Sequence, residues 1–431
     1  MLINNPFMKL PQLYKTIGEY RRYNNCRFCF SSNLVPVLNL GNVPLAGGFL
    51  KTTKNIAFEK LYPLEISFCK NCYLLQSINV INADTLFKDY FYHSSAIKTL
   101  TEHFIDLSRE IKSLSNSRIP FIVEIGCNDG ILLKQLINVG IRALGIDPAS
   151  NIVFQLIKRG LPIINDYFSK TLAEEICNKN GPADVIVSSN TLAHIENMHD
   201  IARGIKILLS QNGILIFEVH YLGNILQEMQ YDMIYHEHQY YYSLLTLQKF
   251  FAKYEMEIFD VKPLSIHAGS MRYYVQNKNF GTNSISSNVT NLHKRERLLK
   301  YDLVETYTTY REKIAKTKND LLKLLKNLKA RNKTIVGYGA SGRGTILMNY
   351  CGLDNKYLDY IIDDAPAKQG AYTPGTHLKI VSSDILNTKH RPDYVLLLAW
   401  SFLEEIKKRQ KVYLKNFGKF IVPLPKIKVI S

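Results

Sequence analysis

The sequence has little that would place the protein in a membrane, outside the cell or among disordered chains. No stretch approaches about 18 uninterrupted apolar residues, and the start lacks a basic segment followed by an apolar run and a small-residue cleavage site. Low-complexity segments and repeats of about 20–50 residues are also lacking. Hydrophobic residues make up 46% and charged residues 21% of the chain, close to the globular average. We therefore expect a folded, soluble, cytoplasmic protein without a membrane partner.

Cysteines are too few for a secreted disulfide scaffold: there are 7 in 431 residues. Four of them form two pairs, Cys26-x-x-Cys29 and Cys69-x-x-Cys72. The two-residue spacer lets both sulfurs of a pair face one point, so four thiolates can surround one Zn²⁺ tetrahedrally. The 39 residues between the pairs exceed the usual ribbon spacing of about 15–20, so the prediction rests on the pairs themselves. Four sulfurs leave no open coordination position, so the zinc is predicted to stabilise the fold and not to catalyse. The alternative is that the cysteines are two unrelated reduced pairs without a metal.

Acidic residues are outnumbered, with 37 Asp and Glu against 54 Lys and Arg and a net charge of +17. This excess favours anionic partners such as phosphates, nucleic acid or a membrane surface, without choosing among them. Residues 293–333 hold 13 basic and 5 acidic side chains. Their pattern predicts one long helix or two with a solvated basic face.

Apolar runs alternate with amphipathic stretches from Phe121 to about residue 260, and again from Thr334 to Ile427. Strands buried on both faces and separated by helices specify a parallel sheet with crossover connections. The predicted fold class is therefore α/β. We expect four segments: an N-terminal zinc-binding domain at 1–83, a first α/β domain with a helical lead-in at 84–270, a helical linker at 271–333 and a second α/β domain at 334–431.

A glycine turn follows the first strand of the first α/β domain. It reads Glu124-Ile125-Gly126-Cys127-Asn128-Asp129-Gly130, and Asp147-Pro148-Ala149 ends the next strand. Glycines at such a turn allow close backbone approach by a ligand, and the strand-end carboxylate is placed to bind ribose hydroxyls. The pattern is not G-x-G-x-x-G, so a dinucleotide site is not indicated.

A cluster of polar side chains occurs at Tyr235-His236-Glu237-His238. Two imidazoles, a carboxylate and a phenol would each need a partner in a core. HExxH zinc spacing is not met. A general base with its orienting partner is the better interpretation, and a buried structural network is the alternative.

Taken with the cysteine pairs, the glycine turn and Tyr235-His236-Glu237-His238, three further motifs appear in order. They are Ala193-His194, the segment from His267 to Arg272 (H-A-G-S-x-R) and Gly337-Tyr338-Gly339-Ala340-Ser341-Gly342-Arg343-Gly344. The turn resembles motifs I and II of class I S-adenosylmethionine methyltransferases. The whole set, over residues 26–425, resembles the sugar C-methyltransferase family, whose type enzyme acts on a thymidine-diphosphate 4-keto-deoxysugar.

The resemblance implies a class I methyltransferase Rossmann-like domain, a second Rossmann-like domain at the C-terminus and S-adenosylmethionine as cofactor. It implies addition of a methyl group to C3 of a nucleotide-diphospho-4-keto-deoxysugar in branched-sugar biosynthesis. The cofactor-binding residues it implies are Glu124, Gly126, Asn128, Asp129, Asp147, Pro148 and Asn190. It implies His238 as the base, with Tyr235, Glu237 and His194 orienting it or stabilising the enolate, and Tyr92 in the substrate pocket.

The second glycine turn alone would also fit a dinucleotide loop or a mere packing domain. The resemblance implies that this domain binds the nucleotide-sugar, with the diphosphate at the helix N-terminus. Implied substrate-binding residues are His267, Ser270, Arg272, Gly339, Ser341, Arg343, Lys368, Tyr372 and His377. The family interpretation implies no nucleic-acid partner, and we expect a monomer or homodimer.

Alternatives are an NAD(P)-dependent nucleotide-sugar oxidoreductase, a zinc-ribbon nucleic-acid methyltransferase, a sugar O- or N-methyltransferase and a non-enzymatic scaffold. The aromatic run Tyr240-Tyr241-Tyr242 and the basic C-terminus after Glu405 fit none of these motifs.

Overall fold

A computed structural model describes residues 14–88, 90, 94–96, 98–114 and 120–431. The chain forms two compact units that each combine distant segments. The first unit comprises residues up to Pro36, Ile66–Val219 and Gln239–Asp302, and the second comprises Val37–Glu65, His220–His238 and Leu303–Ser431. Among the described residues, no helix is both long and apolar enough to cross a membrane. The domain boundaries expected from sequence stay a prediction.

Strands before residue 280 lie in three sheets. They are β1 Tyr14–Ile17, β2 Tyr20–Tyr23, β3 Leu34–Pro44, β4 Leu61–Cys69, β5 Leu75–Ser77, β6 Asn79–Ile81, β7 Phe121–Ile125, β8 Arg142–Ile146, β9 Ile163–Ile164, β10 Ala183–Ser189, β11 Leu209–His220, β12 Tyr240–Tyr241, β13 Met256–Leu264 and β14 Ser270–Asn277. The fourth sheet contains β15 Ile335–Tyr338, β16 Ile361–Ile362, β17 Ile380–Val381, β18 Tyr394–Leu397, β19 Lys419–Val422 and β20 Lys428–Ile430.

The α-helices are α1 Ala83–Phe87, α2 Lys98–Leu114, α3 Ile131–Asn138, α4 Ser150–Lys158, α5 Lys170–Asn180, α6 Met198–Leu208, α7 Leu222–Gln227, α8 Leu244–Phe251, α9 Ser287–Leu298, α10 Val304–Ala330, α11 Gly342–Cys351, α12 Leu403–Arg409 and α13 Lys411–Lys415. Short 3₁₀ helices span Thr53–Phe58, Ser94–Ala96, Tyr231–Met233, Ala252–Tyr254, Ile266–Ala268, Pro366–Lys368, Ser383–Asn387 and Trp400–Phe402.

The central sheet of the first unit has the order β13-β14-β11-β10-β7-β8-β9. The strands β9, β8, β7, β10 and β11 run parallel, and β13 pairs antiparallel with β14. Leu132, Leu133 and Leu136 of α3 join Val185 and Ile216 of the sheet in one buried core. The chain proceeds from β7 towards β9 and then returns to β10, so β7 and β10 flank a topological switch point. Ligands of open α/β sheets bind at the carboxyl ends of such strands.

Two smaller sheets hold the cysteine pairs in place. The strands β1, β2 and β6 form an antiparallel sheet. The other small sheet has the strand order β12-β5-β4-β3. Cys69 ends β4, and Tyr240 of β12 pairs with Gln76 of β5. The zinc knuckles are therefore anchored by strands on both sides.

The fourth sheet has the order β17-β16-β15-β18-β19-β20. Its first five strands are parallel, and β20 is antiparallel to β19. The switch point lies between β15 and β18, as in a Rossmann-like sheet. The expected α/β class with two parallel sheets is confirmed.

Residues 293–333, expected to form one helix or two, form parts of α9 and α10. The break follows Lys300, which has a φ of 58°, and Tyr301 N–H donates to Glu296 O at 3.0 Å. A left-handed residue after the last turn ends a helix because the chain leaves the helical path while the final carbonyls keep a donor.

Candidate active site

The glycine turn after β7 is held in a conformation that only glycine fits. Gly126 has a φ of 79° and Gly130 a φ of 71°. A Cβ at Gly126 would collide with the side chain of Thr191. Gly126 N–H donates to Ile146 O at 2.8 Å, which ties the turn to β8. The backbone between β7 and α3 is therefore compact and packs closely against the loop after β10.

Carboxylates surround this turn. Asp147 Oδ2 accepts from Asn128 N–H at 2.8 Å, and its Oδ1 accepts from Ala149 N–H at 2.9 Å. Glu124 and Asp129 are buried, and Glu124 Oε2 and Asp129 Oδ1 have no hydrogen-bond partner among the described residues. Burial raises the pKa of Glu124 well above its usual range, and the nearby Asp147 carboxylate is the second cause of this increase. Buried acceptors without donors fit a ligand that brings hydroxyls and positive charge.

The remaining residues predicted for the cofactor adjoin the same strand ends. Pro148 follows Asp147 directly, and Asn190 follows β10 with a φ of 56°. Asn190 N–H donates to Glu218 O at 2.7 Å. The residues predicted from sequence for the cofactor thus lie at the carboxyl ends of β7, β8 and β10, although their contact with a cofactor stays a prediction.

His194 lies on the loop that follows β10. Its ring is parallel to that of Phe87, with an interplanar angle of 5° and centroids 5.7 Å apart. Its carbonyl accepts from Gln239 Nε2 at 2.7 Å. Tyr92, also predicted as catalytic, lies outside the described residues.

His238 belongs to the second unit and follows the 3₁₀ turn Tyr231–Met233. Its Nδ1 lies 2.7 Å from Met233 O. A carbonyl oxygen only accepts, so Nδ1 carries the proton and Nε2 carries the lone pair of the neutral ring. This is the tautomer that a general base requires when its second nitrogen does the chemistry.

Two rings pack against the His238 imidazole. The Tyr235 ring centroid lies 3.9 Å away and that of His220 4.3 Å away. His220 is buried at the end of β11 and was missed by the sequence analysis, although a histidine that ends a core strand was the available signal.

Burial lowers the pKa of His236 to about 4, so His236 is neutral at pH 7. Glu237 is buried as well.

The second glycine turn repeats the geometry of the first. Gly339 has a φ of 101°, and its N–H donates to Ile362 O at 2.8 Å. Asp363, at the end of β16, accepts from Ala340 N–H at 2.7 Å and from Ala365 N–H at 2.8 Å. In both glycine turns, therefore, an aspartate that follows the neighbouring strand accepts hydrogen bonds from the backbone.

Arg343, predicted to contact a diphosphate, is already paired. Its Nε and Nη2 each donate to Asp232 at 2.9 Å, and Trp400 Nε1 donates to the same carboxylate at 2.8 Å. The Asp232 side chain is fully buried, so the pair ties α11 to the segment that leads into Tyr235. Ser341 Oγ likewise accepts from Gly344 N–H at 3.1 Å and caps α11.

The other predicted substrate residues of the second unit lie around this turn and in the following loop. Lys368 Nζ donates to Ala340 O at 2.6 Å. His377 Nε2 lies 2.7 Å from Glu59 Oε2, and Tyr372 bridges to Leu50 through backbone hydrogen bonds. These contacts show where the three side chains lie, and their binding of a substrate stays a prediction.

Arg272 is buried in an ion network of the first unit. Its Nε donates to Glu218 at 2.7 Å and its Nη1 to Glu110 at 2.6 Å. His103 Nε2 lies 2.9 Å from both Glu218 oxygens. Ser270 Oγ donates to Ile266 O at 3.3 Å, and His267 has a φ of 50°. The Arg272 guanidinium is thus engaged in joining α2, β11 and β14.

The four predicted zinc ligands come together. Their sulfurs lie within 4.8 Å of one another, with Cys26 and Cys72 3.4 Å apart and Cys29 and Cys69 3.5 Å apart. A tetrahedral site with a Zn–S bond of about 2.3 Å has sulfurs about 3.8 Å apart. The cluster therefore fits Zn²⁺ with no open position, as expected for a structural metal.

Both knuckles have the same backbone shape. Phe30 and Tyr73, which follow the second cysteine of each pair, have φ values of 61° and 69°. Phe30 N–H donates to Cys26 O at 2.9 Å and Tyr73 N–H to Cys69 O at 2.8 Å. Each turn therefore aims its two sulfurs at one point.

Three family models match the chain: a zinc binding domain at residues 26–87, a methyltransferase domain at 100–261 and a C-methyltransferase C-terminal domain at 265–425. The C-methyltransferase NovU of Streptomyces niveus is 32% identical over 414 residues, which cover 95% of this chain and 98% of the relative. A ubiquinone biosynthesis O-methyltransferase of Azorhizobium caulinodans is 27% identical over 118 residues, 27% of this chain and 46% of the relative.

Solved structures that match part of this chain include the magnesium protoporphyrin IX methyltransferase of Synechocystis PCC 6803 with bound SAH. It is 14% identical, covers 41% of this chain and 82% of that chain, and has a TM-score of 0.32. A SAM-dependent methyltransferase from Anabaena variabilis is 16% identical, covers 42% of this chain and 86% of that chain, and has a TM-score of 0.34.

Replacing one zinc ligand tests the metal centre. We expect Cys69→Ser to lower bound zinc from one equivalent to well under half, because a thiolate is lost from the closed shell. The lost stability should lower the Tm by at least about 5 °C. Metal analysis and calorimetry measure both, with Cys177→Ser, which changes a cysteine outside the cluster, as the control. Full zinc content in Cys69→Ser would refute the four-thiolate site.

Proposed function

The chain belongs to the C-methyltransferase family, and we propose that it methylates C3 of a nucleotide-diphospho-4-keto-deoxysugar through an enolate, as a step in branched-sugar biosynthesis. The observation that carries this proposal is the tautomer of His238: Nδ1 is committed to Met233 O, so Nε2 holds the lone pair. Carbon methylation needs such a base, because the carbon becomes nucleophilic only after it loses a proton. Methylation of a sugar oxygen or nitrogen would not require a base for a carbon acid.

S-adenosylmethionine, when bound, supplies an electrophilic methyl group on a positively charged sulfur. We assign its binding to the turn from Glu124 to Gly130, with Asp147, Pro148 and Asn190. In this assignment Asp147 binds ribose hydroxyls, and the buried carboxylates of Glu124 and Asp129 balance the positive charge. The orphaned oxygens of these two carboxylates support it.

His238 is the proposed base for the proton at C3, which the neighbouring 4-keto group acidifies. The Tyr235 ring against it restricts its orientation. Tyr235, Glu237, His194 and Tyr92 are the proposed groups that orient the base or stabilise the enolate oxygen. A positioned base contributes about 10²–10⁴-fold and oxyanion donors about 10²–10³-fold, so neither is sufficient by itself.

The nucleotide-sugar is proposed to bind through the second glycine turn and the segment from Lys368 to His377, with His267 and Ser270 as further contacts. The N-terminus of α11 favours an anion because the helix dipole is positive at that end. The guanidinium groups of Arg272 and Arg343 are committed to carboxylates, so we propose that both act chiefly by holding the elements that carry the site.

A single incubation tests the reaction and names the nucleotide. The protein is mixed with S-adenosylmethionine and a panel of nucleotide-diphospho-4-keto-deoxysugars in heavy water, and products are analysed by mass spectrometry. We expect one added methyl group with one sugar, and deuterium at C3 when S-adenosylmethionine is omitted. Methyl transfer to an oxygen or nitrogen, or neither transfer nor exchange with any sugar, would contradict the proposal.

An oxidoreductase remains the second candidate because the second glycine turn and Asp363 share the arrangement of a dinucleotide site. Titration with NADH followed by fluorescence distinguishes the two functions. Saturable quenching would favour the oxidoreductase, whereas we expect none at concentrations where the nucleotide-sugar binds.

Removing the proposed base should stop turnover without loss of the cofactor. We expect His238→Asn to lower kcat by at least about 100-fold, the usual contribution of a positioned base, and to abolish deuterium exchange at C3. Binding of S-adenosylmethionine, measured by calorimetry, should stay unchanged. His390→Asn, at an exposed histidine, is the control, and more than about a tenth of wild-type kcat in His238→Asn would refute the role of sole base.

The buried carboxylate of Glu124 should make cofactor affinity depend on pH. Its pKa is raised in the protein without cofactor, and a positively charged ligand favours the ionised form, so binding releases a proton. Affinity should therefore rise with pH, by up to about tenfold per unit for one proton. Dissociation constants between about pH 6 and 8 measure this slope.

In Glu124→Gln the slope should flatten, while Glu175→Gln, at an exposed residue of α5, should keep it. The titration of the ligand's own amino group is common to all three proteins. Equal slopes in wild type and Glu124→Gln would contradict the assignment of Glu124.

A further inference from the structure

Arg27 lies between the two cysteines of the first zinc knuckle, and its side chain is buried with an exposed fraction of 5%. Its Nη1 donates to Gln239 Oε1 at 2.6 Å, and its Nη2 donates to Gln239 O at 2.9 Å and Ser77 O at 2.8 Å. Its Nε lies 3.3 Å from Gln76 Oε1. The charge also lies over the Tyr240 ring, 4.2 Å from the centroid. The knuckle thus places a cation with four hydrogen bonds inside the first unit.

Gln239 passes these contacts on to the loop that carries His194. Its Nε2 donates to His194 O at 2.7 Å, and its N–H donates to Ala193 O at 2.9 Å. Gln239 also follows His238 directly in the sequence. One buried amide is therefore bonded to the zinc knuckle at its oxygen and to the His194 loop at its nitrogen.

The tyrosine run after Gln239 completes this arrangement. Tyr240 OH donates to Glu196 O at 2.5 Å, and Tyr242 OH donates to Leu192 O at 2.9 Å. Both phenols are fully buried. The carbonyls of residues 192, 193, 194 and 196 thus all accept hydrogen bonds from the segment 239–242. A loop held by four hydrogen bonds to one segment cannot move independently of that segment.

We propose that Arg27 is a positioning residue, through which the zinc knuckle holds segment 239–242 and, with it, the loop that carries His194. The proposal rests on the catalytic role proposed above for His194. The metal then contributes to catalysis as well as to folding, because the chelated knuckle fixes the position of Arg27. A fork of donors that reaches two carbonyls and two amide oxygens at once suits arginine, and lysine cannot reproduce it.

The test compares Arg27→Met and Arg27→Lys with Lys70→Met. Lys70 occupies the same position in the second knuckle but is exposed, so its replacement controls for changes to a knuckle. All four cysteines remain, and zinc content should stay at one equivalent in each variant. Hydrogen exchange and steady-state kinetics are measured on the full-length, zinc-loaded proteins, with concentrations set by S-adenosylmethionine binding sites.

We expect peptides covering 190–198 and 239–242 to lose protection from exchange in Arg27→Met, while peptides covering β7 and α3 keep theirs. The kcat should fall by at least about 30-fold, whereas KM for S-adenosylmethionine changes less than about threefold. The assigned cofactor residues from Glu124 to Pro148 are outside the network, and Asn190 precedes the four bonded carbonyls and is held separately by Glu218 O. Arg27→Lys should recover only part of kcat, and Lys70→Met should match wild type. A purely structural role would lower the number of S-adenosylmethionine binding sites and leave kcat per site and KM unchanged.

Unchanged protection at 190–198 with kcat within about twofold of wild type would overturn the proposal. If Arg27→Met fails to fold, Tyr242→Phe decides, since it removes only the hydroxyl bound to Leu192 O. Loss of protection at 190–198 together with lower kcat supports the network, and wild-type values for both overturn it. The exchange measurement needs no substrate, so a protein inactive on every sugar would refute the proposed function while protection still tests the positioning.

Discussion

A carboxylate that clasps a glycine turn is the interaction on which both Rossmann-like sheets depend. Asp147 accepts a hydrogen bond from Asn128 N–H, and Asp363 accepts one from Ala340 N–H. Each aspartate also accepts from the N–H of the residue two positions after itself in the sequence. Both carboxylates are buried, so these hydrogen bonds are shielded from water and fix the backbone of each turn. Without this carboxylate the N–H groups of each turn would lose their acceptor, and the turn would lose its shape.

Most of the fold could be predicted from sequence because it depends on neighbours a few residues apart. Alternating apolar runs predict β7, β8, β10 and β11 and also β15, β16, β18 and β19 in the correct segments, whereas the two-residue strands β9 and β17 have no such run. The zinc knuckles follow from two C-x-x-C pairs. The break between α9 and α10 could only be left open. Lys300 adopts the left-handed conformation there, and a lysine gives no local signal for a position where glycine is usual.

The candidate site was predictable in its turns and motifs but not in its long-range partners. Arg343 and Arg272 are predicted substrate-binding residues, a role that stays a prediction, and the structure pairs them with Asp232 and Glu218. A buried guanidinium is costly without a carboxylate, and those partners are 111 and 54 residues away in sequence. The stacking of His220 on His238 depends in the same way on where β11 ends, which no local pattern specifies.

The tyrosine run ties the His194 loop, for which we propose a catalytic role, to the segment that the zinc knuckle holds. Buried phenols cost free energy unless each hydroxyl finds an acceptor, and Tyr240 and Tyr242 find theirs in the backbone of the His194 loop. A catalytic group that is misplaced by about 1 Å can lower the rate by about 10²-fold. A loop that is already ordered before the substrate binds avoids this loss. A small zinc-bound turn is rigid through its coordination bonds, so it provides a fixed point that a short loop between strands lacks. The conformational freedom of the His194 loop is thus restricted when the protein folds, so under the proposed role less of it would have to be removed when a substrate binds.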